Sequence, residues 1–216
     1  MMSNDKRDFD EEAANWDEEP GRVRLANDIA DAITREIQLS TEMDVLDFGC
    51  GTGLITVRLS PLVHSVTAMD GSQGMLDVLQ AKIRRGNLTN VVTRELDFEK
   101  GEIMEGNYDL VICSMTLHHI GEIGILLGQF YIVLNAGGYL CIADLDPDDG
   151  QFHGNNQGVL HFGFERSKLK HALTEAGFPD ILDRTAAEVL KPVPGGGKRS
   201  FSVFLITSRK SPFKKH

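Results

Sequence analysis

The stretch VLDFGCGTGLIT, residues 45–56, constrains the fold of this chain more than any other. It reads as a short apolar strand, then a turn that contains Gly49, Gly51 and Gly53, then a helix with an apolar side. Glycine has no Cβ, so such a turn can adopt positive φ and bring its backbone against a ligand. The helix that follows begins with unpaired N–H groups, which favour an anionic ligand group. This order of elements predicts the start of a nucleotide-binding α/β unit.

The spacing of the glycines separates two ligand classes. The dinucleotide fingerprint G-x-G-x-x-G requires Gly or Ala where this chain has Leu54. The chain instead has D-x-G-x-G-x-G, with Asp47 two residues before the first glycine. This motif resembles that of the class I S-adenosylmethionine (SAM)-dependent methyltransferases. The resemblance implies that Asp47 contacts the amino group of SAM. It also implies that the loop from Gly49 to Gly53, Cys50 included, lies along the methionine and ribose of SAM.

Two further acidic residues close predicted strands after the motif. The second strand ends at Asp70, with Gly71 next and a helix beginning near Ser72; the third strand ends at Asp97 and Phe98. The carboxyl ends of parallel strands lie at one edge of a sheet, where ligands bind, so Asp70 is placed to accept two ribose hydroxyls. The resemblance implies that Asp97 takes the adenine amino group and that the next backbone N–H meets a ring nitrogen.

Four more residues are candidates for the SAM pocket. Met75 lies one turn into the helix after the second strand and suits core packing and contact with the adenine face equally well. The apolar segment YDLVICSMTLHHI predicts a central fourth strand. The resemblance places Ser114 and Met115, at its end, in the pocket. Trp16 is the only tryptophan, and a lone tryptophan typically packs at the edge of a core. The resemblance implies an N-terminal lid with an aromatic–Asp pair over SAM, and Trp16 is the candidate for its aromatic residue.

The order of predicted elements indicates the fold class. A helix over 22–37 precedes alternating strands and helices, and strands near 181–190 and 200–208 flank the loop KPVPGGGKR. The order matches an α/β, Rossmann-like, seven-stranded, mostly parallel sheet with helices on both faces and a C-terminal antiparallel hairpin. The expected organisation is an acidic extension and candidate lid over 1–21, a SAM-dependent methyltransferase domain over 22–208, and a basic tail over 209–216.

Composition argues against several functional classes. The net charge of −10 is unlike the basic surface of a general nucleic-acid binder. The N-terminus is too polar for a signal peptide and no apolar run reaches the length of a membrane span, so no membrane association is expected. The three cysteines have no ligand-like spacing. We therefore expect no metal site and a reducing, cytoplasmic compartment, while the oligomeric state stays open.

The acceptor of the methyl group is expected to be a small molecule. Within the resembled family, nucleic-acid methylases that act on amino groups carry an N/D-P-P-Y/F tetrapeptide at the end of the fourth strand, and those that act on the cytosine carbon carry a Pro-Cys pair there. This chain has neither. SAM already holds an activated methyl, so the protein must mainly align a nucleophile and exclude water. His118, His119, His153 and His161 follow the fourth and fifth strands. We expect His119, His153 and His161 to face the acceptor, and one of them to orient or deprotonate it.

Two other functions stay open from the sequence. A NAD-dependent oxidoreductase would share the α/β core and Asp70, although Leu54 and the terminal hairpin argue against it. A non-catalytic SAM-binding protein with a regulatory or assembly role would show the same motifs, because a fold does not determine a function.

Overall fold

The structure is a computed structural model that describes residues 7–193 and 196–212. The strands are β1 (Asp44–Phe48), β2 (Ser65–Asp70), β3 (Val91–Glu95), β4 (Tyr108–Ser114), β5 (Leu134–Leu145), β6 (Leu182–Pro192) and β7 (Lys198–Arg209). The helices are α1 (Phe9–Ala13), α2 (Pro20–Glu36), α3 (Leu54–Leu59), α4 (Gln73–Gly86), α5 (Ile123–Val133) and α6 (Arg166–Glu175).

The seven strands form one sheet in the order β3-β2-β1-β4-β5-β7-β6. The pairs among β1 to β5 are parallel, whereas β7 runs antiparallel to both β5 and β6. This topology confirms the predicted fold class, including the terminal hairpin. The strand order reverses between β1 and β4, and ligands of open α/β sheets bind in the crevice at such a reversal.

Helices cover both faces of the sheet because neighbouring residues of a strand point to opposite sides. On β1, Leu46 and Phe48 pack into a core with residues of α5 and α6, such as Phe130 and Leu173. Val45, on the other face, joins a second core formed with residues of α2 and α3. The central strands are therefore apolar on both sides, as the run of β4 predicts.

Element boundaries differ from the predictions at three places. Helix α2 begins at Pro20, because proline suits the first turn of a helix. Strand β3 ends at Glu95, and Asp97 instead precedes a short 3-10 turn. Strand β5 begins at Leu134, so that NAGG belongs to the strand, with a register shift opposite residues 108–110.

The N-terminal residues 7–19, which we call the strap, contain α1 and a 3-10 turn over 16–18. The remainder of the predicted acidic extension, residues 1–6, lies outside the described residues, as do 213–216 of the predicted basic tail and 194–195 of the hairpin loop. Within the described ranges, no helix combines the length and hydrophobicity needed to cross a membrane.

Candidate functional site

A cavity of about 1770 Å³ lies at the carboxyl edge of the parallel strands. Its walls come from the loops after β1 to β4, residues 150–156, the strap, the start of α2 and the β6–β7 hairpin. A single small-molecule site typically measures roughly 300–1,000 Å³. The cavity therefore has room for two ligands side by side.

The glycine turn after β1 forms one wall, and its three glycines have different roles. All three adopt positive φ, at 68° for Gly49, 54° for Gly51 and 79° for Gly53. A Cβ on Gly49 would lie 2.3 Å from the side chain of Thr116, and one on Gly53 would lie 2.3 Å from Leu79. A Cβ on Gly51 would meet nothing nearer than 4.0 Å. Gly49 and Gly53 are thus required for packing, whereas Gly51 leaves open space in the cavity wall.

Two carboxyl groups support this turn. Asp47 is only 2% exposed and accepts a hydrogen bond from the Thr56 hydroxyl. Burial, and then the nearby charge of Asp70, raise the pKa of Asp47 to about 6. Asp70 accepts the backbone N–H of Gly51 at 2.7 Å and that of Ser72 at 2.9 Å, and burial raises its pKa as well. Neither carboxylate has a cation in contact among the described residues.

The other residues predicted for the SAM pocket also line the cavity, in differing degrees of exposure. Gly71 is exposed, Cys50, Asp97 and Ser114 are half-buried, and Met75 and Phe98 are 2% and 9% exposed. Burial raises the pKa of the Cys50 thiol well above its usual range. We call the part of the cavity formed by the glycine turn, Asp47, Asp70 and Asp97 the glycine end.

Met115, which immediately follows β4, has an unusual backbone. Its φ is 53°, in the left-handed region that residues other than glycine rarely adopt. Its N–H donates to the carbonyl of Ala143 at 2.8 Å, which extends the pairing of β4 with β5. The chain therefore turns sharply at Met115 into the residues that carry His118 and His119.

Trp16 lies in the strap between two arginines. The guanidinium of Arg22 is 3.8 Å from the indole centroid, and that of Arg7 is 5.6 Å away. The ring of Phe9 meets the indole edge-on at 6.0 Å. Trp16 is half-buried and lines the cavity, so it occupies the position predicted for a lid residue, although its contact with a ligand stays a prediction.

The strap is attached to the glycine end by two aspartates. Asp10 accepts the Ser72 hydroxyl at 2.6 Å and the N–H of Gly74 at 2.7 Å, and so caps the first turn of α4. A Cβ on Gly74 would lie 2.8 Å from the Cα of Asp10, so only glycine allows this approach. Asp17 accepts the Thr52 hydroxyl at 2.6 Å and pairs with Lys82 at 2.5 Å. Both contacts bring the strap to the loops that follow β1 and β2.

Three imidazole rings meet in another part of the cavity wall, which we call the histidine end. The centroid of His118 lies 4.1 Å from that of His119 and 4.9 Å from that of His153, and the latter two are 6.2 Å apart. Nδ1 of His118 donates to Oδ1 of Asp144 at 2.8 Å, with both side chains almost completely buried. Nδ1 of His119 donates to the carbonyl of Gly158 at 2.7 Å.

Burial keeps two of these imidazoles neutral. Desolvation, followed by the charge of His118, lowers the pKa of His119 to about 4 and that of His153 to about 3. Nε2 of His153 is buried and has no hydrogen-bond partner in the described part of the chain. Buried polar atoms are nearly always hydrogen-bonded. An unpartnered nitrogen in a cavity wall therefore indicates that a bound molecule completes its bonding.

The sequence model of one protein family, described as a methyltransferase domain, matches residues 45–138, from β1 into β5. These residues carry the glycine turn and the acids at the ends of β1 to β3. The seven-stranded sheet that contains this segment has the Rossmann-like fold of methyltransferases.

Two curated relatives are similar to larger parts of the chain. An uncharacterized methyltransferase of Schizosaccharomyces pombe is 34% identical over 135 residues, which are 56% of this chain and 48% of the relative. A malonyl-[acyl-carrier protein] O-methyltransferase of Acetivibrio thermocellus is 27% identical over 186 residues, or 85% of this chain and 61% of the relative. The matched regions thus span about half to three-fifths of the length of these proteins.

A solved structure shows the same fold at low identity. The YcgJ protein of Bacillus subtilis superposes with a TM-score of 0.69 and 14% identity, covering 86% of this chain and 99% of that chain. The superposition covers a larger share of the chain than the segment that the family model matches.

Two predicted site residues, Gly53 and His161, do not line the cavity. His161 was expected to face the acceptor, but its Nε2 donates to the carbonyl of Ile120 at 2.9 Å and its ring packs on Phe164 at 5.1 Å. The cause is a backbone contact: the N–H groups of Leu160 and His161 both donate to the carbonyl of His118. This contact directs the His161 ring away from the cavity, and the prediction for His161 is wrong.

Several residues of the site escaped the sequence analysis. Asp144 had one available signal, since it is an acid inside the apolar strand YLCIADL and such a residue requires a buried partner. Asp10 and Lys191 offered no local signal, because their contacts lie far away along the chain. The part of the chain that the structure describes holds no group of three or more His, Cys, Asp or Glu arranged to bind a metal ion.

Proposed function

We propose that this chain binds SAM at the glycine end of the cavity and transfers its methyl group to a small-molecule acceptor at the histidine end. The observation that carries the proposal is the division of one cavity between two unlike sets of groups. One set is a positive-φ glycine turn among buried carboxyls, and the other is a cluster of neutral imidazoles with an unpartnered nitrogen.

The glycine end suits SAM in shape and charge. The open space above Gly51 lets a ligand approach the backbone, and the acids supply acceptors for amino and hydroxyl groups. SAM carries a positive charge on its sulfonium and another on its amino group, which the uncompensated carboxyls of Asp47 and Asp70 would stabilise. We assign the ribose hydroxyls to Asp70 and the adenine amino group to Asp97, with Cys50, Gly71, Met75, Phe98, Ser114 and Met115 as the remaining walls.

The chemistry at the histidine end depends on the protein's own groups. SAM, when bound, supplies an activated methyl group. The protein must hold the acceptor in line with it and exclude water. A neutral His153 can hydrogen-bond a hydroxyl or amine of the acceptor through Nε2, since this atom has no other partner among the described residues. Asp144 holds the His118 ring, which packs against His153, so we assign His118 and Asp144 a positioning role.

The test combines binding with turnover. Calorimetry should show that the protein binds SAM and S-adenosylhomocysteine but not NAD. A labelled-methyl assay against fractionated metabolites should then identify an acceptor. His153→Gln should lower turnover by roughly 10²–10⁴-fold, with SAM affinity unchanged within about threefold. His64→Gln serves as the control, because His64 is 65% exposed and does not line the cavity.

Each alternative function gives a different result in this test. Tight binding of NAD with no binding of SAM would contradict the proposal and favour an oxidoreductase. Binding of SAM without turnover on any fraction would indicate a non-catalytic SAM-binding protein. Full turnover in His153→Gln would leave the methyltransferase activity intact and remove His153 from the acceptor site.

A further inference from the structure

The acceptor site contains a cation that the proposed function does not use. We infer that the acceptor carries an anionic oxygen group, a carboxylate or a phosphate, and that Lys191 binds this group at the histidine end of the cavity. The inference rests on the proposed function and names the class of its acceptor.

Lys191 lies near the end of the edge strand β6, and its side chain is half-buried. Its Nζ donates to the carbonyl of Phe152 at 3.0 Å and lies 3.9 Å from the centroid of the Phe152 ring. Burial lowers the pKa of this ammonium. Among the described residues, Lys82 and Lys170 pair with Asp17 and Asp183, whereas no carboxylate lies within 4 Å of the Lys191 Nζ.

The charge of Lys191 acts on the histidine end. Lys191 and Arg7 both lower the pKa of His153, in addition to burial and the neighbouring His118 and His119. The Arg7 guanidinium is already bound to Glu12, at 2.7 and 2.6 Å. Lys191 is therefore a cation that acts on His153 and whose charge is left without a contacting carboxylate in the part of the chain that the structure describes.

Charges of opposite sign are separated along the cavity. At the glycine end, the ionisable side chains that line the wall are carboxylates such as Asp47, Asp70 and Asp97. The cations that line the wall come from the strap, the start of α2 and the β6–β7 hairpin; they are Arg7, Arg22, Arg24, Lys191 and Lys198. Two of the carboxylates near these cations are engaged: Glu19 pairs with Arg22, and Glu188 accepts the Ser200 hydroxyl. A chain with a net charge of −10 thus presents cations where the acceptor binds.

Aromatic rings surround this position and indicate the remainder of the acceptor. Phe152 is 6% exposed and its ring lies beneath the Lys191 ammonium. Phe9 meets the His119 ring edge-on at 5.2 Å, and Trp16 lines the same wall. An acceptor with an apolar or aromatic body and one anionic group would fill this end of the cavity and neutralise Lys191.

An anion at Lys191 also affects the proton that the acceptor must lose. It offsets the positive charge that lowers the pKa of His153, and so makes Nε2 a better proton acceptor when the acceptor is bound. As a hydroxyl or amine of the acceptor gains the methyl group from SAM, its proton passes to Nε2, and the sulfonium becomes a neutral thioether.

The experiment uses protein saturated with S-adenosylhomocysteine and two matched pairs of probes, benzoate with benzamide and phenyl phosphate with phenol. Calorimetry should show that an anionic probe binds at least tenfold more tightly than its neutral partner. Lys191→Met should reduce this preference below threefold, and Lys191→Arg should retain it. Lys168→Met is the control for the loss of one positive charge, because Lys168 is 78% exposed and does not line the cavity.

A measurement without any probe tests the geometry separately. The pKa of His153, followed by NMR of its ring, should rise in Lys191→Met and stay unchanged in Lys168→Met. Lys191 could instead act only as an anchor of the Phe152 carbonyl. That purely structural role predicts no preference for anionic probes. It also predicts that the pKa of His153 in the wild-type protein does not rise when benzoate or phenyl phosphate binds.

The outcomes separate this inference from the proposed function. A preference for benzoate alone assigns a carboxylate, a preference for phenyl phosphate alone assigns a phosphate, and a preference for both assigns any anionic oxygen group. Equal affinity within each pair, binding of none of the four probes, or a preference that survives Lys191→Met overturns the inference. Failure to bind S-adenosylhomocysteine, which is measured first, would overturn the proposed function instead.

Discussion

The two ends of the cavity bury ionisable groups of opposite kind, and the same physical cause shifts their pKa values in opposite directions. At the glycine end, burial raises the pKa of Asp47 to about 6. At the histidine end, burial lowers the pKa of His119 to about 4 and that of His153 to about 3. Burial disfavours the charged form of an acid and of a base alike. A bound cation would therefore favour the charged form of the acids, and a bound anion would favour the charged form of the imidazoles and of Lys191.

The largest effect is expected from breaking the buried pair of the histidine end. Asp144→Ala removes the acceptor of three N–H groups: Nδ1 of His118 and the backbone N–H groups of His118 and Leu145. A buried donor that loses its acceptor costs about 1–3 kcal/mol of unfolding free energy, and denaturant titration measures the total loss for these three donors.

The control for this variant is an exposed pair. Asp31→Ala breaks the pair with Arg58, in which both side chains are 46% exposed, and should cost less than about 1 kcal/mol. Equal losses in the two variants would mean that the His118–Asp144 pair adds nothing beyond a surface contact.

The next effect concerns the glycine end alone. Asp70→Asn removes the charge that holds Gly51 and that we assign to the ribose hydroxyls. SAM and S-adenosylhomocysteine should bind about 10–100-fold more weakly, which corresponds to roughly 1.4–2.8 kcal/mol. Calorimetry measures both affinities, and Asp77→Asn, on the exposed side of α4, is the control. Affinities within threefold of the parent would remove Asp70 from the SAM site.

A third test uses the opposite pKa shifts of the two ends. Because the pKa of His119 is lowered on folding, the unfolded chain binds more protons, so stability is complete above pH 6.5 and falls as the pH drops towards 4. Asp47 contributes in the opposite sense, because its pKa is higher in the folded protein than in the unfolded chain. Its contribution to stability is complete at a pH below its ordinary pKa and is lost as the pH rises to about 6. His119→Gln should flatten the acid limb by up to about 1.4 kcal/mol per pH unit, and Asp47→Asn should steepen it.

The measurement for this test is the free energy of unfolding, determined at intervals of about half a pH unit between roughly pH 4.5 and pH 7.5. An unchanged slope in His119→Gln would show that the His119 imidazole is as easily protonated in the folded protein as in the unfolded chain.

The smallest effect is expected from the attachment of the strap. Asp10→Ala removes the acceptor of the Gly74 N–H in the first turn of α4 and should cost about 1 kcal/mol, seen as faster hydrogen exchange at Gly74. Glu11→Ala, which changes an exposed neighbour on α1, is the control. Unchanged exchange at Gly74 would mean that the strap does not stabilise the start of α4.

The glycine end could be predicted from the sequence because its signals are local. Residues 45–56 alone predict the strand, the glycine turn and the helix. The acids of this end follow apolar runs that predict parallel strands. The mostly parallel sheet and the hairpin followed from the same alternation of elements. The exact ends of β3 and β5 did not, because pairing with a neighbouring strand determines them.

The histidine end could be predicted only in part, because contacts between distant residues assemble it. His118 and Asp144 are separated by 26 residues, and His119 and Gly158 by 39. The sequence indicated that histidines gather at this edge, but not which rings turn inward. His161 fails because a backbone contact to His118 determines its direction, and no periodicity in the sequence encodes such a contact.

The strap touches both ends of the cavity through consecutive residues: the Phe9 ring packs on His119, and the Asp10 carboxylate binds Ser72 and Gly74. A ligand at either end that orders the strap also orders the wall of the other site. The entropy lost in that ordering is then shared between two binding events. SAM and the acceptor should consequently bind with positive cooperativity, and thermodynamic linkage requires each to raise the affinity of the other by the same factor.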